Sequence, residues 1–263
     1  MKPRFLDCTL DDPSRNLAME EVLFLLCDTP VVRVWDNQRS VVLGRAQLVQ
    51  AETDLDYCSA QGIPVVRRFT AGGTVYNGPG NVNWTFAVTK KSGPPLSFSQ
   101  DAKKVFESFA LVVVDALNTC SVRARFDPPN RLLDGAGNKI SGMAAYISNR
   151  ALICHGTLLL DADLSELERT TGRDHGPRAA KYPRSIHANV ANCWADREKF
   201  VSALAKAAGA DYDGSEPTKE EFETTERLYS QKYGSRAWNE GDPFGLDYAQ
   251  FLPSLLESSD REV

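Results

Sequence analysis

The chain lacks an apolar run long enough to span a bilayer, so no helical membrane anchor is expected. No apolar stretch follows the positive charges of Met1-Lys2-Pro3-Arg4, so no secretory signal is expected either. Its six cysteines (Cys8, Cys27, Cys58, Cys120, Cys154 and Cys193) form no Cys-x-x-Cys pair. That excludes the usual zinc and redox motifs and reads as reduced thiols in a cytoplasmic protein. A net charge of −5 gives no global basic field, so nucleic acid is not an expected partner. Neither Gly-x-x-x-x-Gly-Lys-[Ser/Thr] nor Gly-x-Gly-x-x-Gly occurs, which removes the P-loop and dinucleotide fingerprints. Internal repeats and low-complexity linkers are missing too.

What remains is ordinary globular composition, 42% hydrophobic and 25% charged, with enough apolar content for a sizeable core. Asn16–Leu26 reads as a helix with Ser14 as its cap. Val31–Trp35 and Val41–Gly44 read as strands joined by the polar turn Asp36-Asn37-Gln38-Arg39. Asp54–Gln61 reads as a short helix ended by Gly62, and Pro64–Arg68 as a strand. Val82–Val88, Lys139–Tyr146 and Ala151–Leu160 are further strands, the last two joined by Ser148-Asn149-Arg150. Helical patterns cover Ala102–Thr119, Arg197–Ala208 and Lys219–Lys232. Residues 172–189 form a polar, locally basic loop carrying Arg173, Arg178, Lys181 and Arg184 against Asp174. The irregular alternation favours an α/β (α+β) fold with a mixed sheet flanked by helices.

Three segments carry candidate chemistry. In Arg67-Arg68-Phe69-Thr70-Ala71-Gly72-Gly73-Thr74-Val75-Tyr76, two arginines end a strand and a glycine pair follows. Such a backbone approaches a ligand closely, its free N–H groups cradle anions, and guanidinium binds phosphate or carboxylate bidentately. A glycine-rich hairpin with solvated arginines is the plainer alternative. In Lys139-Ile140-Ser141-Gly142, period two places Lys139 and Ser141 on one face and Ile140 on the other. The lysine is a movable point charge there. In Cys154-His155-Gly156-Thr157, a histidine and a thiol lie within an apolar strand, where a hydrogen-bonded core histidine and an inert cysteine are the common outcome.

The order of these segments is more specific than any one of them. Asn16-Leu17-Ala18-x-Glu20-Glu21 comes first, then Gly44-Arg45-Ala46-Gln47. Arg67-Arg68-x-x-x-Gly72-Gly73-Thr74-Val75-Tyr76 and Gly80-Asn81 follow, then Asn130 and Lys139-Ile140-Ser141-Gly142. His155-Gly156-Thr157-Leu158-Leu159-Leu160 and Tyr233-x-x-x-x-Trp238-Asn239 complete the series. The series resembles the lipoate–protein ligase A family, within the biotin/lipoyl protein ligase catalytic-domain superfamily. The resemblance implies ATP-dependent activation of lipoate to lipoyl-AMP, then transfer to a lysine of a lipoyl-carrier protein. It implies Lys139 as the catalytic residue, bridging the lipoyl carbonyl and the α-phosphate. Arg68, Gly72, Gly73, Thr74, Val75, Tyr76, Asn81, Asn83 and Asn130 would hold lipoyl-AMP or ATP. Ser141, Gly142, His155, Gly156 and Thr157 would line the same pocket. Val42, Leu43 and Val75 would receive the acyl chain. Mg²⁺ is expected with ATP, with no metal ligand assigned.

The sequence departs from the family pattern at several places. Ala71 stands at the first position of the usual triple glycine, and Asn77-Gly78-Pro79 replaces His-Asp-Leu. Asn130 is followed by Arg131 where aspartate is usual, leaving Asp134 or the phosphates to compensate. Asn189 stands in place of an arginine. Residues 1–239 are expected to form the catalytic domain and 240–263 a short acidic extension. Such an extension resembles bipartite ligases, whose small accessory subunit is a separate protein. The rival readings are an ATP-free octanoyl/lipoyl transferase and a non-catalytic lipoyl-domain-binding relative. A thiol-dependent transferase would need Cys154 as nucleophile.

Overall fold

Alternating side chains in Asn81–Thr89 build the central strand of a computed structural model that describes residues 1–171 and 181–246. Val82, Trp84, Phe86 and Val88 enter one core; Ala87 enters another on the opposite face. This strand is β6. The other strands of its sheet are β1 (Arg4–Asp7), β2 (Val31–Trp35), β7 (Arg125–Asp127), β8 (Arg131–Leu133), β9 (Lys139–Ile147) and β10 (Ala151–Leu159). Among the described residues they form a seven-stranded sheet in the order β1-β2-β6-β10-β9-β8-β7. The β1/β2 pair is parallel and the other pairs antiparallel, so the sheet is mixed as expected. A second sheet, β4 (Val65–Arg67), β3 (Ser40–Leu43), β5 (Val75–Asn77), lies against it.

Helices cover both faces. On one, α4 (Ala102–Thr119) and α6 (Arg197–Ala207) pack over Trp84 and Phe86, with Phe109 of α4 against Phe86. On the other, α1 (Pro13–Leu25) packs between the two sheets, with α7 (Lys219–Leu228) behind it. Short helices α2 (Val49–Glu52), α3 (Leu55–Ala60) and α5 (Leu164–Thr171) border the small sheet. A π turn at Tyr229–Tyr233 leads into α8 (Arg236–Glu240). No helix among the described residues is long and apolar enough to cross a membrane.

Several local expectations change. Asp12, not Ser14, caps α1, its carboxylate accepting from the Ser14 and Arg15 amides. The turn at 36–39 does not close a hairpin, because β2 and β3 belong to different sheets. Strands β1, β5, β7 and β8 are only three or four residues long, too short to show a period in sequence. Arg67 and Arg68 are buried, not solvated. Arg67 donates to the carbonyls of Trp238, Gly44, Gln47 and Gly241, and Trp238 Nε1 returns a bond to the Arg67 carbonyl, tying β4 to α8. Of the basic loop, Arg173, Asp174 and Arg178 lie outside the described residues, as does the acidic extension from residue 247 onward.

Trp84 is fully buried and central to the helix-covered core. Trp84→Ala is expected to lower unfolding free energy by about 3–5 kcal/mol, read as a fall in the urea midpoint.

Candidate active site

One cross-strand row crosses the face of the large sheet turned toward the small one. Asp127 opposes Arg131, Arg131 opposes Gly142, and Gly142 opposes Thr157. Thr157 opposes Asn83, and Asn83 opposes Trp35. Directly opposed residues share a face. From Arg131 to Trp35 this row floors a cavity of about 530 Å³. At roughly 4.8 Å per strand, Gly142 and Trp35 stand about 14 Å apart. Leu17, Trp35 and Val42 make the far part of the cavity apolar, and Arg131 and Lys139 make the near part cationic. A second cavity of about 660 Å³ adjoins the first, and Lys139, Gly142 and Thr157 border both.

A break in the strand period places Lys139. Leu132 opposes Ser141, whereas Leu133 opposes Lys139, so Ile140 is an extra residue in β9. Such a bulge re-aims the side chains on either side of it. Lys139 therefore shares a face with Gly142 and not with Ser141, contrary to strict alternation. A Cβ on Gly142 would lie 3.0 Å from Lys139 Cε and Nζ, so the lysine occupies the space that glycine leaves open. Ile140 packs into the core, and the Ser141 hydroxyl is buried beside it without a hydrogen-bond partner among the described residues. Lys139 has no ion pair among the described residues either. Desolvation, with Arg131 and Arg68 nearby, holds its ammonium below the ordinary lysine pKa.

Arg68 shapes the roof. It donates to Thr70 Oγ1 at 3.0 Å and to the carbonyls of Val42, Ala71 and Gly73. Burial lowers its pKa to about 10. The arginine wraps the glycine loop around itself. Gly72 takes φ +107°, a conformation that suits glycine, with Arg68 Nη2 only 2.9 Å from where a Cβ would sit. Glu52 then locks the loop at 184–185 onto this roof. It accepts from the Ser185 amide and hydroxyl and pairs with Arg184 Nε at 3.1 Å. Ser185 Oγ accepts from the Thr74 amide at 2.7 Å and from Gln47 Nε2 at 3.1 Å.

On the same face as Thr157, His155 is hydrogen-bonded at both ring nitrogens. Nδ1 meets Glu20 and Nε2 meets Thr70 Oγ1 at 2.8 Å. Thr70 also accepts from Arg68, so Glu20, His155, Thr70 and Arg68 form one buried chain. Glu20 further accepts from Thr85, which accepts from Trp35 Nε1. His155 is thus both a satisfied core residue and a cavity wall.

The expected site residues converge, with two exceptions, Asn81 and Leu43. Arg68, Gly72, Gly73, Thr74 and Val75 line the first cavity from the roof. Asn83, Asn130, Lys139, Gly142, Gly156 and Thr157 line it from the floor and rim. Tyr76 and Ser141 border only the second. Asn81 borders neither; it starts β6, where its Nδ2 reaches the Tyr76 carbonyl. Leu43 also stays out of both cavities, while Val42 and Val75 line the first. Asp134 is turned into its own loop, accepting from the Ala136 and Asn138 amides. Cys154 faces the opposite core, and burial pushes its thiol well above the ordinary range. Leu17, Trp35, Met143, Glu52 and Ser185 were not expected at the site. Each looks like an ordinary core or loop residue in sequence, and only pairing across sheets brings it there.

The first cavity has four cations on its lining, Arg68, Arg131, Lys139 and Arg184, and no carboxylate among the described residues. An elongated ligand with an apolar tail and an anionic head suits it.

Residues 12–199 match the model of the lipoyl protein ligase A/B catalytic domain. Lipoate–protein ligase 1 of Staphylococcus aureus is 31% identical over 88% of this chain and 71% of that protein. A bipartite lipoate protein ligase of Thermoplasma acidophilum, described with its E2 lipoyl domain, superposes with TM-score 0.79 at 25% identity. That match covers 92% of this chain and 97% of that one. A T. acidophilum ligase structure with bound lipoic acid gives TM-score 0.76 at 25% identity, covering 92% and 100%. A lipoate-protein ligase A structure bound with ATP shares the fold, with TM-score 0.79 at 24% identity and the same coverage.

Two outcomes test the Lys139 geometry. Gly142→Ala is expected to displace the lysine and lower turnover by about 10²-fold while the fold persists, measured by kinetics beside circular dichroism. Lys139→Met is expected to raise the urea midpoint at pH 7. The folded chain holds the Lys139 proton less tightly than the unfolded chain, so the charged form opposes folding. That opposition is complete below the folded pKa and fades as pH rises toward 10.5, so the midpoints of the two proteins converge there.

Proposed function

The chain belongs to the lipoyl protein ligase A/B catalytic-domain family, and from that premise we propose that it joins lipoate to a lysine of a lipoyl-carrier protein. It is an ATP-dependent ligase, and lipoyl-AMP is the intermediate of this reading. The observation that carries it is the ammonium of Lys139. It is partly buried and without an acidic partner among the described residues, between an apolar wall and a cationic rim.

The chemistry follows from charge. In the first step a carboxylate oxygen of lipoate attacks the α-phosphorus of ATP. The bond to the β-phosphate oxygen breaks, and pyrophosphate leaves with the electron pair. Two anions must meet, so cations at the meeting point lower the barrier most. Lys139 supplies that charge on the floor. Arg68 holds the glycine loop at the roof of the cavity. In the second step the carrier lysine, as a neutral amine, attacks the acyl carbonyl carbon. AMP leaves, and the new amide nitrogen loses a proton to solvent. The developing oxyanion lies by the same Lys139 ammonium. The acyl chain runs toward Trp35, Leu17 and Val42, where burial of apolar surface favours it.

The residues at hand do not fit a metal held by the protein. The first cavity has no carboxylate on its lining, Asp127 is paired to Arg131, and no cluster of three metal-binding side chains exists among the described residues. Mg²⁺ therefore belongs to the nucleotide as a companion of its phosphates. A separate accessory protein is a further part of this reading. It is supported by the match to a bipartite ligase, and by 28% identity over 91% of T. acidophilum lipoate-protein ligase A subunit 1. The thiol-dependent transferase reading loses its nucleophile, since Cys154 lies in the core on the other face.

Intact mass of a lipoyl-carrier domain, after incubation with this protein, lipoate and Mg-ATP, tests the reading. A lipoyl mass gain that requires ATP is expected, with an accessory protein added if the chain alone is silent. Gain without ATP from a pre-acylated carrier would show transfer between carriers instead. Lys139→Ala is expected to lower lipoyl-AMP formation by at least about 10²-fold with the circular dichroism unchanged.

A further inference from the structure

Arg131 lies at the edge of the cavity floor, beside Gly142 in the cross-strand row. It is close enough to Lys139 for the two charges to repel, and its side chain is 40% exposed, open to the cavity mouth. One nitrogen, Nε, donates to Asp127 Oδ2 at 2.6 Å. Its two Nη groups donate to no described residue, so the planar fork is free on the cavity side. Asp127 is itself held from the other flank by Arg125 Nη1 at 3.5 Å, which fixes the carboxylate outside the cavity. Pro128-Pro129 closes the turn between Asp127 and Asn130, and Pro129 and Asn130 form the rim next to the arginine. Asn130 is tied down in turn, its Nδ2 donating to the Met143 carbonyl at 2.7 Å.

The consequence is electrostatic. Phosphates seated in the first cavity meet no carboxylate on its lining, so a divalent cation there has no acidic side chain of the protein to hold it. The charge has to come from side chains, and an oriented guanidinium fork matches two phosphate oxygens at once. We propose that Arg131, oriented by Asp127, is a nucleotide-phosphate ligand of this site and supplies charge that other phosphoryl-transfer sites take from a carboxylate-held metal. Lys139 then serves the bond being made and Arg131 the pyrophosphate that leaves. Arg131 is a binding residue and Asp127 a positioning residue, because it acts only through the arginine. The inference rests on the ligase reading for its nucleotide, but its own content is separable.

Calorimetric titration of ATP into wild type, R131Q, R131D and D127N, once with EDTA and once with Mg²⁺, tests it. Wild type is expected to bind ATP in EDTA. R131Q and R131D are expected to weaken that binding by about 10- to 100-fold, the range for losing charge-assisted contacts. D127N is expected to weaken it less, by releasing the fork without removing its charge. Wild-type binding that requires Mg²⁺, or R131Q and R131D binding ATP in EDTA within twofold of wild type, would overturn the assignment while leaving the ligase reading intact. Wild type binding no ATP under either condition would overturn both. Arg131 is partly exposed and makes no core contact, so both variants are expected to fold, and circular dichroism checks this.

Discussion

Positive charge held in a desolvated cleft without a matching carboxylate is the constraint on which this structure turns. Lys139 and Arg68 both have their pKa values lowered, chiefly by desolvation, and neither has an acidic partner among the described residues. Burying charge without a counter-ion is unfavourable, so the rest of the molecule must hold these groups in place. Arg68 is held by three carbonyls and a hydroxyl, Lys139 by a bulge and a glycine. The unfavourable term in the free protein becomes a favourable one when an anion enters, which is how binding energy is concentrated at the reacting atoms.

The surroundings look designed to leave that charge unquenched. Three carboxylates that lie close behind the first cavity are committed to partners. Glu20 is saturated by His155 and Thr85, Glu52 by Ser185 and Arg184, and Asp127 by Arg131. Two of these commitments also position the site. Glu20 reaches Arg68 through His155 and Thr70, and Glu52 holds the 184–185 segment against the glycine loop. These acids therefore shape the first cavity from behind its walls and keep their charge off its lining.

The fold supplies the distances. A row across five strands gives a floor that is cationic at β8 and β9 and apolar at β2. Strand spacing sets the separation of the two ends, so one ligand with a charged head and a hydrocarbon tail spans them. The small sheet supplies the roof, because β3 and β5 bring Val42 and Val75 over that floor.

Much of this was legible in the residues. The long helix at 102–119 and the 139–159 hairpin follow from period and turn chemistry, and the ordered motif series pointed to the family and to Lys139. Local spacing reports local structure, and a motif reports a chain segment. What it cannot report is which side of a strand a residue takes once a bulge intervenes, as at Ile140, or which carboxylates are already engaged. Spacing alone does not separate Arg67 from Arg68, although the resemblance singled out Arg68; tertiary contacts make Arg67 a bracket to α8 and Arg68 the spine of the glycine loop. Asn81 is the converse, a motif residue that the register places at the start of β6, on the lining of neither cavity. The ordered motif series thus pointed by itself, through its resemblance, to the family. The separation of β2 and β3 into two sheets, the assembly of the first cavity from seven strands, and the exclusion of carboxylates from its lining were decided only by packing over long sequence distances, which no local pattern encodes.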